Sequence, residues 1–479
     1  MKGLFSKVFD NPTVRGLYSS LSDGWTYVNA QSHPQVPERV SSAVARGFRV
    51  SPLLEQVEVS RGSHSRAEAP GRRVGESFVD AARIAVADLM GSRPECVILG
   101  ASRASLINQL ATAMGRKLRL GQEMVLSRID APANIEPWQR AADLYGARVR
   151  WAEPDLGSGM LPTWQFAELV TPDTAVVAVS AANEFVGAVT DVRAIADTVH
   201  AKSRGLFVVD ADAAAPYRVL DIHAMGADVV ALDLVGLGGP GVGALVFRDA
   251  SLFDAALPRP NYDLSLIADS ASSASSVPSS VQRARGVLEL GGVSEGLLAG
   301  VPAAVDHLAQ LDDAAFGTRR RRLEKALPQA VRYMNGLAKR LVEGLQGLDG
   351  VHVIGVDGDV DLAPASFDAV PRVPRVSFLV DGVPASVVDQ RLLASGVVAS
   401  VVERGQSMLL ERMGVFEEAS TGAHAKRERV EGAQGRVVAG RRAAATEQLG
   451  GPGAIAIGFS PHNTIHDVDQ VLRAVASLR

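Results

Sequence analysis

From about Ser41 to Arg248 the sequence switches repeatedly between two hydrophobic periods. Short apolar runs, several of them β-branched, predict strands over Cys96–Leu99, Glu123–Ser127, Arg148–Trp151, Ala175–Ser180, Leu206–Val209, Val229–Leu232 and Ala244–Phe247. Between them, apolar residues recur at helical spacing over Glu76–Met90, Ser105–Leu118, Ala133–Leu144 and Val192–Ala201. Strands that are apolar throughout belong in a sheet covered on both faces. Their alternation with helices predicts an α/β layer around a mostly parallel, seven-stranded sheet.

A second, smaller α/β unit follows. Ser270–Ser280, rich in Ser and Ala, reads as a loop. Helical patterns then cover Leu297–Leu311 and Arg319–Leu348, and strands are predicted at Val351–Gly355, Arg375–Val380 and Ala454–Phe459. The arginines Arg319–Arg322 read as a solvated helix face rather than a nucleic-acid patch. The polar stretch Glu417–Gly451 reads as an insertion. The division expected is an N-terminal segment over 1–40, a large domain over 41–295 and a small domain over 296–479, with the insertion at about 417–451.

Composition excludes several function classes. The net charge of −4 argues against a nucleic-acid or anionic-membrane partner. A single cysteine, Cys96, excludes an internal disulfide framework and an all-cysteine metal site. The N-terminal MKGLFSKVFDNPTVRGLYSSL lacks the apolar core of a signal peptide, and no stretch is long and apolar enough for a membrane span. The default expectation is a cytoplasmic protein.

Simple catalytic motifs are weak. Gly236, Gly238 and Gly241 match a dinucleotide fingerprint, but a strand follows where the pyrophosphate needs a helix N-terminus, and Pro240 removes a donor. Asp210 and Asn183 each follow an apolar strand, where ligands gather in open α/β sheets, although capping is the plainer role for both. Cys96 reads as a small buried hydrophobe. His462 and His466 are four apart but straddle a loop, so no metal site is expected; His33 and His223 stand alone.

Together, however, the ordered residues resemble a known family. Tyr27–Pro37, Arg128-Ile-Asp130 with Ala133-Asn134 and Pro137-Trp138, Asn183 with Gly187, Asp210, Pro216, Gly239-Pro240 and Asn463-Thr464 fall in the order and spacing of the class V aminotransferases and cysteine desulfurases. These are fold-type I enzymes dependent on pyridoxal phosphate (PLP). The resemblance implies a large PLP-transferase domain, a smaller C-terminal α/β domain and a homodimer. It also implies that Asp210 faces the pyridinium nitrogen, and that Ser105, Asn183 and Asp210 are the remnant of a cofactor pocket.

The same frame exposes departures. The family's Schiff-base lysine, counted from the intact Gly239-Pro240, falls at Gly236. The ring-stacking His is Ala131, and the His or Gln after the pyridinium aspartate is Ala213. The phosphate-gripping pair is Ala104-Ser105, and the family's Ser is Asp233, whose carboxylate repels a phosphate. The Thr lent by the second subunit is Gly292, the substrate-gripping Arg is Ala456, and no cysteine lies near Val401–Met408. Lys202 precedes the Leu206 strand, at the end away from the expected site.

Three readings follow. The first is a catalytically degenerate homologue, a pseudoenzyme that forms no PLP aldimine and acts as a binding or scaffold protein for a partner protein, an active paralogue or a small ligand in the old pocket, as a homodimer or a heterodimer with that paralogue. The second is an active PLP enzyme of aminotransferase, desulfurase or C–S lyase type. The third is a changed enzyme that uses Asp210, Asp212 and Asp233 as acid, base or metal ligands.

Overall fold

The computed structural model describes residues 9–60, 66–258, 278–355, 372–417 and 453–478. The Ser270–Ser280 loop therefore lies mostly outside the described residues, as does the 417–451 insertion apart from Glu417.

The N-terminal part contributes a short strand β1 (Thr26–Tyr27), the helix Glu38–Val50 and a hairpin of β2 (Leu54–Ser60) and β3 (Arg66–Arg73). Then come β4 (Val97–Gly100), β5 (Glu123–Ser127), β6 (Arg148–Ala152), β7 (Thr174–Ser180), β8 (Leu206–Asp210), β9 (Val229–Asp233) and β10 (Gly243–Phe247). These seven form one sheet in the order β4-β10-β9-β8-β7-β5-β6. β10 is antiparallel to both neighbours; the other pairings are parallel.

Alternate residues of each strand face opposite ways, which explains the unbroken apolar runs. Val125, Val177, Val209 and Val230 enter one core with the helices Val74–Met90, Val192–Lys202, Gly300–Ala309 and Arg319–Gln346. Met124, Val176, Val208 and Ala231 enter the other with Arg103–Gly115, Pro132–Tyr145 and Ser279–Leu288. Cys96 is fully buried in that second core, where burial pushes its thiol up.

The C-terminal unit is an antiparallel sheet built from β11 (Val351–Ile354), β12 (Arg375–Val380), β14 (Ser400–Val402) and β15 (Ala454–Gly458), ordered β11-β12-β15-β14. β13 (Val397–Val398) pairs in parallel with β1, and Gly458 N–H donates to Val28 O at 2.8 Å. The N-terminal segment is thus stitched to the C-terminal unit. β1, the β2–β3 hairpin, β13 and β14 are additions to the strands read from the sequence; β2 and β3 carry charge and proline rather than an apolar run.

The arginine run is not a solvated face. Arg319 bonds Asp88 at 2.6 Å and Asp306 at 2.8 Å, Arg320 bonds Leu220 O at 2.6 Å, and Arg322 lies 3.5 Å from Asp306. Only Arg321 is exposed. The guanidinium forks fasten the start of the long helix to Val74–Met90 and to the loop after β8.

Candidate functional site

The site lies where the C-terminal ends of β8 and β9 meet the start of the Arg103–Gly115 helix, outside the carboxyl edge of the sheet. A close backbone approach builds it. Gly243 on β10 sits between Gly100 of β4 and Asp233 of β9 in register. A Cβ there would lie 2.2 Å from the carbonyl carbon of Ser102 and 2.3 Å from Arg103 N. Glycine lets the helix start rest directly on the strand end. Ser102 and Ser105 then close a capping box: Ser105 N–H donates to Ser102 Oγ at 3.1 Å, and Ser102 N–H to Ser105 Oγ at 3.2 Å.

The first N–H of this helix does not face solvent. Arg103 N–H donates to Asp233 Oδ1 at 2.7 Å, which places a carboxylate on the positive end of the helix dipole. The Arg103 side chain turns into the pocket, and its Nη1 donates to Asp210 Oδ2. Nη2 lies 3.9 Å from Asp212 and Nε 3.8 Å from Asp233. Asp212 N–H donates to Asp210 Oδ1 at 3.1 Å, and Asp233 N–H to Asp212 Oδ1 at 3.0 Å, so the three aspartates form a ladder across the strand ends. Asp210 is 2% exposed and Arg103 12%.

The electrostatics follow from burial and mutual contact. Burial works against the Arg103 cation, but Asp210, Asp212 and Asp233 outweigh it and hold the guanidinium above its ordinary range. Burial pushes Asp210 up while Arg103 draws it back. Burial and the repulsion of Asp212 push Asp233 to about 6. Burial pushes Glu184 to about 7, against the pull of Arg103 and Arg375. Behind Asp210, burial pushes Asp130 to about 8; it accepts from Ser180 N–H at 2.8 Å and from Asn134 at 2.9 Å.

The residues singled out from the sequence divide into two groups. Asp210, Ala131 and Ala213 line the pocket, with Asp233 at its edge. Ser105 spends its hydroxyl on the capping box and on Ser102 O at 2.8 Å. Asn183 shapes the loop after β7: its amide donates to Ile129 O at 2.7 Å and accepts from Phe185 and Val186 at 2.9 and 3.0 Å. Gly292 stands apart, in the left-handed region with open space around it. Gly236 lies in the turn Val235–Leu237, where an added Cβ would meet nothing nearer than Pro216 at 3.4 Å. Ala456 lies in β15, and the nearby cation is Arg375 on β12, buried and bonded to Glu184 O at 3.1 Å.

The remaining candidates are not brought together. His462 is buried with its ring 4.9 Å from Tyr18, whereas His466, His33 and His223 are exposed. Among the described residues no group of three or more His, Cys, Asp or Glu has the arrangement of a metal site. That counts against the metal role for Asp210, Asp212 and Asp233, whose common centre the Arg103 guanidinium takes.

Sequence reasoning missed Arg103 and Glu184. A signal for Arg103 was present: a cation in the first turn of a helix opposes the dipole and calls for a carboxylate nearby. Glu184, beside Asn183, carried no comparable signal.

Pyridoxal phosphate does not fit these residues. Asp210, which the resemblance sets against the pyridinium nitrogen, is bonded to a guanidinium, and the first N–H of the Arg103–Gly115 helix is bonded to Asp233. The space left among Arg103, Ile129, Ser180, Asp210 and Ala213 is about 10 Å³. That holds a water at most, against the roughly 300–1,000 Å³ of ordinary ligand sites. No lysine lines it. Lys117, Lys202 and Lys325 donate to the carbonyls of Asp254, Ala167 and Ala314, and Lys339 lies 3.9 Å from Glu343. Lys2, Lys7 and Lys426 lie outside the described residues.

Comparison with known proteins agrees with the fold. The family model for class-V aminotransferases matches residues 52–327. An uncharacterised protein of Mycobacterium tuberculosis is 37% identical over 470 residues, covering 98% of this chain and 99% of that protein. A probable cysteine desulfurase of Mycobacterium leprae is 27% identical over 384 residues, covering 78% of this chain and 81% of that protein. The crystal structure of the cysteine desulfurase CsdA from Escherichia coli superposes with a TM-score of 0.71 at 20% identity, covering 98% of both chains. Among the described residues no helix is long and apolar enough to cross a membrane.

Proposed function

This chain belongs to the class-V aminotransferase family, and from that premise we propose that it is a cofactor-free member, a binding or scaffold protein rather than a transferase or lyase. One observation carries the reading: the guanidinium of Arg103 is seated on Asp210, where the family's pyridinium belongs. A ring entering the pocket must first displace a buried, charge-assisted contact, a loss of about 2–5 kcal/mol. Its phosphate would meet the Asp233 carboxylate at the helix end. Gly236 offers no amine to offset either cost.

What the family fold keeps is its scaffold: two fully covered cores and an N-terminal segment tied into the C-terminal sheet. Such a body suits association with a second copy or with an active relative. The test is the absorbance spectrum of the full-length protein, freshly isolated and again after addition of pyridoxal phosphate and dialysis. We expect a colourless protein in both states. A yellow protein whose colour survives dialysis contradicts the proposal.

A further inference from the structure

We infer that Arg103 is the resident ligand of this pocket, which is a receptor for guanidinium cations closed by the chain's own side chain. The inference rests on the cofactor-free reading and deepens it by naming the chemistry the pocket selects.

Three observations support it. First, Arg103 is surrounded by acids from separate elements: Asp210 at the end of β8, Asp212 in the turn after it, and Asp233 at the end of β9. Glu184, after β7, faces the same space. The donors of a planar guanidinium are spread over three nitrogens, so Nη1, Nη2 and Nε each face a different one of these carboxylates, whereas the three donors of an ammonium diverge from a single nitrogen. Second, the site deals with both charges of the family's cofactor from within the chain. A guanidinium stands on Asp210 in place of a pyridinium, and a carboxylate stands on the helix N–H in place of a phosphate. Third, each of the three carboxylates accepts from a backbone N–H, Asp210 from Asp212, Asp212 from Asp233 and Asp233 from Arg103, so backbone donors that remain after the Arg103 side chain is removed hold the acids in position. A pocket emptied of Arg103 keeps its anionic walls.

Substitution of Arg103 by Ala therefore opens a site for an external guanidinium. The experiment measures thermal unfolding of full-length wild type and R103A with methylguanidinium, methylammonium or pyridoxal phosphate at millimolar concentration. R103A should unfold at a lower temperature than wild type. Methylguanidinium should raise the R103A midpoint by about 2 °C or more and leave the wild type unmoved, because only the variant has the vacant site. Equal shifts in both proteins, no shift in R103A, or a larger shift with methylammonium or pyridoxal phosphate overturns the inference.

If R103A does not fold, R103A/D210N decides. Removing both charges should restore a folded protein that ignores methylguanidinium. A double variant as unstable as R103A counts against Arg103 and Asp210 as receptor and ligand. Colour in the wild type would overturn the cofactor-free reading; failed rescue with a colourless wild type would overturn this inference alone.

Discussion

The backbone N–H of Arg103 donates to Asp233 Oδ1 at 2.7 Å, and this bond fixes where the Arg103 side chain can go. It ties the start of the Arg103–Gly115 helix to the end of β9. From that anchor the guanidinium reaches Asp210 on the neighbouring strand. The bond depends on Gly243, whose missing Cβ leaves room for the Ser102–Arg103 backbone.

Substituting Gly243 by Ala should therefore be costly, whereas the same change at Gly236 should be mild. At Gly243 the new methyl would collide with backbone at 2.2 Å, and overpacking of this kind typically costs about 1–3 kcal/mol. At Gly236 the nearest atom is 3.4 Å away. Chemical denaturation of the two variants checks the contrast; equal losses would contradict the close approach described at β10.

Breaking the central ion pair from one side should cost more than removing it altogether. R103A leaves a buried carboxylate without its partner, a loss of about 3–5 kcal/mol, while R103A/D210N leaves none. A double-mutant cycle on unfolding free energy should show positive coupling between the two sites. Strict additivity would mean that the two groups do not interact.

Restoring the lysine alone should not restore cofactor binding. An added Cβ at Gly236 meets no atom closer than 3.4 Å, so G236K is expected to fold. Arg103 and Asp233 still hold the pocket, so borohydride treatment with pyridoxal phosphate should label no peptide containing residue 236 in G236K. Labelling there, by mass spectrometry, would show that glycine was the sole obstacle.

The acids of the pocket give the stability a definite pH dependence. Glu184 lies at about 7 and Asp233 at about 6 in the folded chain, both above ordinary carboxylate values. A folded state that holds protons more tightly than the unfolded one gains stability as pH falls. Their contribution should be complete near pH 4 and lost as pH rises through about 6 to 7. E184Q should flatten that part of the stability profile. An unchanged slope would place Glu184 in ordinary solvent contact.

The fold was legible because burial on both sides of a sheet writes itself into sequence as unbroken apolar runs. Leu206–Val209 and Val229–Leu232 were read within one residue of β8 and β9. β2 and β3 were not, since a charged hairpin has no such pattern. The side chains that the resemblance expects at Gly236, Ala131 and Ala213 were readable from the sequence as departures from the family pattern. What replaces them was not, because Arg103 and Asp210 are 107 residues apart and only the sheet order brings them together. The arginine run shows the same limit: its partners Asp88 and Asp306 are set by packing between helices.

The most direct test is a crystal structure of the protein grown in excess pyridoxal phosphate. The account predicts density for the Arg103 guanidinium on Asp210, Asp233 on the Arg103 N–H, and no aromatic ring between the ends of β8 and β9. A pyridine ring on Asp210, with Arg103 turned out of the pocket, would contradict it.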